Sequence, residues 1–299
     1  MRVAAILGLG SSARHLQPFA RCSDAVWHLG VPANAHEADA ILVFGGDGTV
    51  HRHLPQLVRL RLPVLVVPHG SGNDFARALQ LRTVDDALSA WRQFVSGRGS
   101  VRQVDLGVIV PVVSPEAGGA PAPHGPVAGR YFGCVGGVGL DVEVARRANR
   151  LPRALRRRGG YLLSLLPALS GFHPVGVRVQ ASLGEACLST RYAGSAMLVA
   201  FANTPTYGGG IRIAPDARLD DGRLEVCVVE AMGKARLLRL FPSVFSGRHL
   251  TLPEVRYFQA ERLRIETEEP SEVYADGEYV CSSPVEVRVE AGALQVIVP

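Results

Sequence analysis

Two glycine-rich segments combine residue types that bind phosphate, and each follows a short apolar run. Residues 45–49 read Gly-Gly-Asp-Gly-Thr and follow the run Ala40–Phe44. Residues 68–74 read Pro-His-Gly-Ser-Gly-Asn-Asp and follow the run Val64–Val67. A strand that ends in glycines and opens a helix presents free backbone N–H groups to an anion, and glycine lets the anion approach the backbone closely. Thr49 can cap the helix that follows the first segment.

The two segments together are more specific than either one. Two such turns on neighbouring parallel strands would form one crevice at the carboxyl ends of the strands, where open α/β sheets bind ligands. Asp47 is unusual beside phosphate unless it holds Mg²⁺ or a nucleotide hydroxyl. Either turn alone is also typical of a tight connection in an α/β protein that binds no ligand. The pair predicts a phosphate-binding crevice.

A third segment, Asp276-Gly277-Glu278, places two carboxylates near the C-terminal end of the chain. An Asp-Gly pair is a common hairpin turn, and taken alone the segment favours that interpretation. A glutamate can also act as a general base that takes the proton of an attacking alcohol.

The spacing of apolar residues changes along the chain. Continuous apolar runs bounded by turn residues, such as Val3–Leu7, are typical of strands buried on both faces of a parallel sheet. Helical spacing over Asp74–Leu81 and Val84–Val95 alternates with these runs. From Tyr131 onward, alternating apolar and polar residues predict half-buried antiparallel strands. These segments are Val175–Val179, Leu224–Val229, Arg262–Glu266 and Val285–Val289.

The sequence therefore predicts two domains. The first, residues 1–107, is an α/β domain with a mainly parallel sheet, and the second, residues 108–299, is a mainly antiparallel β domain. Pro111–Gly129 is rich in Pro, Gly and Ala and predicts an exposed loop near the boundary.

Composition excludes several classes of protein. Lys234 is the only lysine among 299 residues. A P-loop and a protein-kinase fold both need a lysine on the phosphates, so both are excluded. The five cysteines are scattered and odd in number, which favours buried free thiols over a disulfide framework or a zinc site. The apolar runs are shorter than the roughly 20 residues that cross a bilayer, so we expect a cytoplasmic protein.

The order and spacing of these motifs resemble the diacylglycerol kinase catalytic family, which also includes sphingosine and ceramide kinases and bacterial lipid kinases. Residues 68–77 match the family's P-x-G-T-x-N-D-x-A-R, with Ser71 in place of the usual threonine. The likeness continues at residues 137–141 (Gly-Val-Gly-Leu-Asp), at Tyr207–Gly222 and at residues 276–278. It implies an NAD kinase/diacylglycerol kinase-like fold and an ATP-dependent kinase that phosphorylates a lipid hydroxyl, diacylglycerol-like or sphingoid.

The resemblance also implies roles for individual residues. Glu278 is the candidate general base, Asp276 is expected to help order Mg²⁺ or the base, and Asp47 completes the candidate catalytic set. The last segment of the chain is expected to return to the inter-domain cleft, where ATP would lie against both glycine turns. The candidate ATP-binding residues are Gly45, Gly46, Asp47, Gly48, Thr49, Gly70, Ser71, Gly72 and Asn73.

Two further aspartates each have two interpretations. Asp141 matches an aspartate assigned to recognition of the substrate headgroup in sphingosine kinases, and it can equally cap the helix that follows it. Asp221 resembles a position that binds a structural cation in some relatives, and it can equally belong to a turn.

The chain departs from many relatives at two places. Residues 8–12 read Gly-Leu-Gly-Ser-Ser where many relatives have N-P-x-x-G, so the contacts made there do not carry over. His51 and Arg52 stand where many relatives have Asn-Glu after the first glycine turn. Arg52 either brings positive charge towards phosphate or is solvated.

Other classes of function remain to be weighed against the lipid kinase. An NAD kinase-like enzyme acting on a soluble hydroxyl is the nearest alternative, because it also carries a G-G-D-G turn. A non-catalytic nucleotide-binding regulator is a second alternative. A dinucleotide oxidoreductase is disfavoured, because no G-x-G-x-x-G opens a helix after the first strand.

Arg146–Leu169 joins a basic stretch with seven arginines to an apolar stretch. Such a pair suits the surface of an anionic membrane, where each near-surface arginine contributes about 1 kcal/mol. The alternative is a solvated basic helix followed by a buried helix. We expect a peripherally membrane-associated enzyme with a lipid substrate, and a homodimer is compatible with the sequence. Nucleic acid is disfavoured, because aromatic residues are not interleaved with the arginines.

Overall fold

The computed structural model describes residues 1–112, 129–151 and 160–299. The predicted loop Pro111–Gly129 and the centre of the basic stretch therefore lie largely outside the described residues. Within these ranges, the α-helices are α1 (Ala13–Ala20), α2 (Asp47–Leu60), α3 (Asp74–Ala78), α4 (Val84–Val95), α5 (Leu140–Arg150), α6 (Gly160–Gly171) and α7 (Lys234–Leu240). Short 3₁₀ helices cover Ala35–Glu37, Phe241–Ser246 and Arg248–Thr251.

The described strands form one continuous sheet with parallel and antiparallel parts. They are β1 (Arg2–Leu7), β2 (Val26–Leu29), β3 (Ala40–Gly45), β4 (Val64–Pro68), β5 (Ser100–Pro111), β6 (Arg130–Phe132), β7 (Val135–Gly139), β8 (Val175–Ser182), β9 (Ser189–Ala202), β10 (Leu224–Glu230), β11 (Val255–Ala260), β12 (Arg262–Thr267), β13 (Glu272–Ala275), β14 (Glu278–Ser282) and β15 (Val285–Val298).

The N-terminal strands pair in parallel in the order β2-β1-β3-β4. All residues of β3 and β4 are buried, as expected of strands that helices cover on both faces. The predicted strands Val3–Leu7, Ala40–Phe44 and Val64–Val67 are confirmed. Because β3 and β4 are neighbours, the turns that follow them lie at the same edge of the sheet.

The predicted helix Val84–Val95 is confirmed as α4. The Thr83 side chain accepts from the Asp86 N–H, and the Asp86 carboxylate accepts from the Thr83 N–H, which together make a capping box. The helix predicted over Asp74–Leu81 ends earlier, because α3 stops at Ala78 and Gln80 has a φ of 64°.

The mainly antiparallel part contains β5 to β15, and it is joined to the parallel part through the last strand. β15 pairs with β5 from Val285↔Pro111 to Val298↔Ser100, and Val296 also pairs in parallel with Val64 of β4. The predicted boundary between residues 107 and 108 falls inside β5. The chain end thus returns to the N-terminal sheet.

The side chains of the sheet form two packed clusters. One lies around the parallel strands and includes Phe44, Leu54 and Trp91, and the other lies within the antiparallel part around Phe132 and Phe201. The five cysteines are free, but only Cys134 and Cys227 are buried, whereas Cys187 is exposed and Cys22 and Cys281 are partly exposed. None of the described helices is long and apolar enough to cross a membrane.

Replacing Leu54 with alanine should lower the free energy of unfolding by about 2–5 kcal/mol, because the deletion leaves a cavity in the core. The Leu54 side chain is 0% exposed on α2, the helix that begins at the first glycine turn. Urea unfolding checks this value. Leu9→Ala is the matched control: Leu9 is 72% exposed, and its loss should change stability by less than about 0.5 kcal/mol. Equal effects of the two changes would contradict the assignment of α2 to the core.

Candidate active site

The two glycine turns lie in direct contact. A Cβ atom added to Gly70 would lie 2.4 Å from the Cα atom of Gly46, and one added to Gly46 would lie 2.7 Å from the Cα atom of Gly70. Real Cβ atoms essentially never approach so closely, so glycine is required at both positions. The His69 N–H also donates to the Gly45 carbonyl oxygen at 3.0 Å. The structure therefore brings together the two segments that the sequence placed at one crevice.

The helix after the first glycine turn begins earlier than the sequence suggested. α2 begins at Asp47, with Gly46 as its N-cap. Thr49 lies inside the first helical turn, so its predicted role as the cap is wrong. Its side chain instead fills the space above Gly45 and Gly8, where an added Cβ would lie 2.5 Å and 2.3 Å from Thr49 Oγ1. The Thr49 and Val50 N–H groups donate to the Gly46 carbonyl oxygen at 2.8 Å and 3.1 Å, and the N-terminus of α2 carries the positive end of the helix dipole.

The second turn is shaped by Asn73. Its φ of 56° is left-handed, a conformation that asparagine tolerates better than most residues. Its side chain accepts from the Gly70 N–H at 2.7 Å and donates to the Gly70 carbonyl oxygen at 3.1 Å. Ser71 is exposed at the tip of this turn. Asn73 thus closes the turn on itself, and Ser71 remains accessible to a ligand.

Asp47 and Gly72 connect the two turns at their ends. Asp47 Oδ1 accepts from the Phe75 N–H of α3 at 3.0 Å. A Cβ atom at Gly72 would lie 2.9 Å from Asp47 Oδ2. The Asp47 carboxylate thus faces the second turn.

Asp74 is a buried anchor that the sequence analysis missed as a site residue. Its carboxylate is paired with Arg77 at 2.6 Å. It also accepts from the Thr206 hydroxyl at 3.0 Å and from the Gly209 N–H at 2.9 Å. Asp74 therefore binds the second turn to the Tyr207–Gly222 segment of the second half of the chain. Asp74 belongs to the second glycine-rich motif, and Tyr207–Gly222 is another segment that resembles the family. This shared resemblance was the sequence signal that could have identified Asp74 as a site residue.

The Asp276 carboxylate is held by three donors. Oδ1 accepts from the Cys134 N–H at 2.8 Å, and Oδ2 accepts from the Gly133 N–H at 2.8 Å. The ring nitrogen Nδ1 of His51 lies 3.0 Å from Oδ2. The side chain of Asp276 is 3% exposed and that of His51 is 12% exposed. Of the two roles expected for Asp276, these contacts favour ordering of the turn that carries the base. The sequence analysis did not identify His51 as a partner.

Glu278 reaches the first glycine turn from the opposite end of the sequence. Its Oε1 atom lies 3.2 Å from the position of a Cβ atom built on Gly48. The residue itself is exposed. The neighbouring Gly277 carbonyl oxygen accepts from Asn149 Nδ2 of α5 at 2.7 Å. The turn 276–278 does join two strands, β13 and β14, so it is both a hairpin turn and a neighbour of the crevice.

Burial and neighbouring charges shift the pKa values of three groups at the site. Burial, followed by the nearby charge of Asp74, raises the pKa of Asp47 to about 6. Burial and the charge of Asp276 raise the pKa of the Cys134 thiol well above its ordinary value, so Cys134 stays protonated. Burial alone would lower the pKa of His51, but the hydrogen bond and charge of Asp276 outweigh it and raise that pKa.

Asp141 is buried in the first turn of α5. The strand before this helix, β7, pairs with β13 of the hairpin that carries Glu278. The Asp141 Oδ1 atom accepts from the Val142 N–H at 3.0 Å. A Cβ atom at Gly137 of β7 would lie 2.5 Å from Asp141 Oδ2, so the carboxylate covers a glycine. Burial raises the pKa of Asp141 to about 7. The N-cap of α5 is Gly139, so Asp141 is not the cap.

Asp221 lies on a separate turn. Its Oδ1 atom accepts from the Arg223 N–H at 3.1 Å. The neighbouring Gly222 N–H donates to the buried Asp105 at 2.7 Å, and Asp105 also accepts from the Gly292 N–H at 2.8 Å. Among residues 1–112, 129–151 and 160–299, no group of three or more His, Cys, Asp or Glu side chains is arranged to hold a metal ion. The cation role of Asp221 stays a prediction.

Sequence comparison places the chain in a family. Residues 24–109 match the diacylglycerol kinase catalytic domain, and residues 134–298 match the YegS C-terminal NAD kinase beta sandwich-like domain. The chain is 34% identical over 272 residues to the diacylglycerol kinase of Mycobacterium tuberculosis (strain ATCC 25618 / H37Rv), across 91% of this chain and 81% of that protein. It is 26% identical over 260 residues to the diacylglycerol kinase of Bacillus subtilis (strain 168), across 86% and 77%. The chain belongs to the diacylglycerol kinase family, as its motifs predicted.

Solved structures show the same fold. A diacylglycerol kinase from Bacillus anthracis str. Sterne aligns with a TM-score of 0.67 at 21% identity, over 100% of this chain and 97% of that chain. An NAD kinase from Archaeoglobus fulgidus in complex with ATP aligns with a TM-score of 0.51 at 13% identity, over 100% and 93%. The predicted combination of an α/β N-terminal part with a mainly antiparallel C-terminal part is confirmed.

Asp141→Asn should stabilise the protein at about pH 8 by a few kcal/mol, because one pKa unit corresponds to about 1.4 kcal/mol. The pKa of Asp141 is about 7 in the folded protein, above its ordinary value of 3.8. Folding therefore favours the protonated carboxyl group, and the stability it contributes is lost as the pH rises through about 7. The gain from the neutral amide should shrink as the pH is lowered to about 5. Urea unfolding at several pH values measures it.

Glu143→Gln is the matched control on the same helix. Arg146 and Arg147 lower the pKa of Glu143 against the opposing effect of burial. Removing this charge should slightly destabilise the protein at about pH 8, which is the opposite sign. If Asp141→Asn destabilises the protein at that pH, the prediction is contradicted. The Asp141 carboxylate would then have a favourable partner that outweighs the effect of burial on its pKa.

Proposed function

We propose that the chain is an ATP-dependent lipid kinase that transfers the γ-phosphoryl group of ATP to the hydroxyl of a lipid. The observation that carries this proposal is the position of the Glu278 carboxylate beside Gly48, in the first of two glycine turns that touch each other. A phosphate site and a candidate base thus share one crevice. The names of the curated relatives support a lipid, diacylglycerol-like acceptor.

The phosphates of ATP would be bound mainly by backbone groups. The N-terminus of α2 would offer backbone N–H groups to a phosphate, and Gly46 and Gly70 let the second turn lie directly against the first. The only lysine, Lys234, donates to the Ser170 carbonyl oxygen at 2.7 Å. Lysine therefore has no part in the proposed phosphate site, and directed N–H donors supply the stabilisation of developing charge.

Glu278 would act as the general base. A lipid hydroxyl becomes a good nucleophile as a carboxylate takes its proton during in-line attack on the γ-phosphorus. Asp276 holds the turn in place through the Gly133 and Cys134 N–H groups, and Asn149 holds it from the side of α5. The exposed Glu278 is thus mounted on a buried anchor.

The residues at the crevice fit a magnesium ion bound together with ATP. Mg²⁺ is usually held by one or two carboxylates plus the phosphates of its substrate. Asp47 would hold it, because its pKa is raised by burial and by the charge of Asp74, an environment that a nearby cation would relieve. When bound, Mg²⁺ would offset the negative charge of the phosphates. The carboxylate of Asp276 is already engaged by three donors.

Glu278→Gln should lower the turnover number by a factor of about 10²–10⁴, because the amide cannot accept the proton. The affinity for ATP should change little, since the side chain stays the same size. Radiolabelled ATP, a panel of lipids and thin-layer separation measure turnover, and a parallel reaction with NAD tests the NAD kinase alternative. Glu185→Gln, a change at an exposed turn, is the control. Near-native turnover of Glu278→Gln would contradict the role of Glu278, and phosphorylation of NAD alone would contradict the lipid acceptor.

We also propose that the protein docks on an anionic membrane through α5 and α6. On α6, Leu163 is 54% exposed and Leu166 is 61% exposed, whereas Leu165 and Leu169 are buried. The exposed face of α6 therefore carries apolar side chains. It packs against α5, which carries Arg146, Arg147 and Arg150. Since Asn149 contacts Gly277, this surface lies beside the turn of the candidate base.

Changing Leu163 and Leu166 together to serine should weaken binding to phosphatidylglycerol vesicles by about tenfold or more, because full burial of one leucine contributes about 1.5–3 kcal/mol. Co-sedimentation at low ionic strength measures the binding. The double change Leu183→Ser and Leu238→Ser, at two leucines that are each 37% exposed, should have no such effect. Equal binding of both double variants would contradict docking through α6.

A further inference from the structure

We propose that His51 is a positioning residue that fixes the Asp276–Glu278 turn against the first glycine turn. His51 lies on α2, four residues after Asp47, so the two side chains share one face of the helix. Its Nδ1 atom lies 3.0 Å from Asp276 Oδ2, across 225 positions of sequence. The kinetic part of this inference rests on the proposed kinase function, and the structural part does not.

The three contacts of Asp276 come from different parts of the fold. The Gly133 and Cys134 N–H groups lie between β6 and β7 and hold the carboxylate to the antiparallel part of the sheet. The His51 contact is the one that reaches α2, the helix whose N-terminus forms the first glycine turn. His51 therefore couples the position of the candidate base to the position of the phosphate site.

The electrostatic surroundings support a charge-assisted contact. Burial and the charge of Arg130 of β6 lower the pKa of His51, and the hydrogen bond and charge of Asp276 together with the charge of Glu278 outweigh them. Arg52, the neighbour on the same helix, is exposed. A hydrogen bond to a buried charged group contributes more than one between neutral groups. The net result is a raised pKa of His51 beside the buried Asp276 carboxylate.

The geometry also bears on a substitution in the motif. Many members of the family resembled have asparagine where this chain has His51. Like the amide nitrogen of asparagine, Nδ1 of histidine is bonded to Cγ, and in this chain it lies 3.0 Å from Asp276 Oδ2. The residue after Gly-Gly-Asp-Gly-Thr-Val therefore contacts the turn of the candidate base.

The test combines amide hydrogen exchange with steady-state kinetics on the full chain. In His51→Leu, the Gly133 and Cys134 amides should exchange about tenfold faster, because the carboxylate that they bind is no longer held from α2. The turnover number should fall by up to about 100-fold, the cost of a displacement of roughly 1 Å at a reacting group. The KM for ATP should change much less. His51→Gln, which keeps a donor, should recover part of both properties.

His53→Leu is the matched control on the same helix. The Nδ1 atom of His53 is buried without a partner among the described residues, so its loss should leave the exchange of Gly133 and Cys134 unchanged. If His51→Leu also leaves that exchange unchanged, the positioning role is overturned. If the exchange rises in His51→Leu while the unaltered protein phosphorylates no lipid, the positioning role stands and the proposed function fails. A rise in the KM for ATP with unchanged turnover would assign His51 to nucleotide binding and overturn the inference.

Discussion

The approach of Gly46 to Gly70 is the constraint on which the candidate site depends. Strands β3 and β4 are parallel neighbours, and neighbouring strands are about 4.8 Å apart. The turns that follow them keep this short separation only because neither residue carries a Cβ atom. In the proposed function, one polyphosphate would therefore contact backbone N–H groups of both turns. A phosphate site built in this way would need no lysine, which agrees with a chain whose only lysine, Lys234, donates to the Ser170 carbonyl oxygen.

The close turns also concentrate carboxylates, and each carboxylate is compensated to a different degree. Asp74 has Arg77, the Thr206 hydroxyl and the Gly209 N–H, and Asp276 has two N–H groups and an imidazole. Asp47 has the Phe75 N–H as its short contact, and its pKa is raised to about 6 by burial and by Asp74. A desolvated charge with few partners is costly. In the proposed reaction, Asp47 is therefore the carboxylate that would gain most from a cation arriving with a nucleotide.

Local patterns predicted the parts of the fold that local energetics determine. β3 and β4 are buried on both faces and read as unbroken apolar runs, and α4 has both helical spacing and a capping box. The motifs predicted which segments meet at the crevice. The end of α3 and the start of α2 were misjudged, because a left-handed residue at Gln80 and an N-cap at Gly46 leave no clear periodic signal. The partners of Asp276 could not be predicted, because His51 is 225 positions away and no periodicity links the two.

The division of roles proposed for Asp276 and Glu278 follows from their exposure. A base that acts on a lipid hydroxyl must be reachable from the surface where the lipid arrives, yet it must stay aligned with the bound phosphate. Glu278 is exposed, and Asp276, two residues earlier, has a side chain that is 3% exposed. The anchor is buried in the protein, so water does not compete for its hydrogen bonds. The hairpin thus links a buried anchor to an exposed carboxylate, and in the proposed reaction the acceptor would approach that carboxylate from the surface.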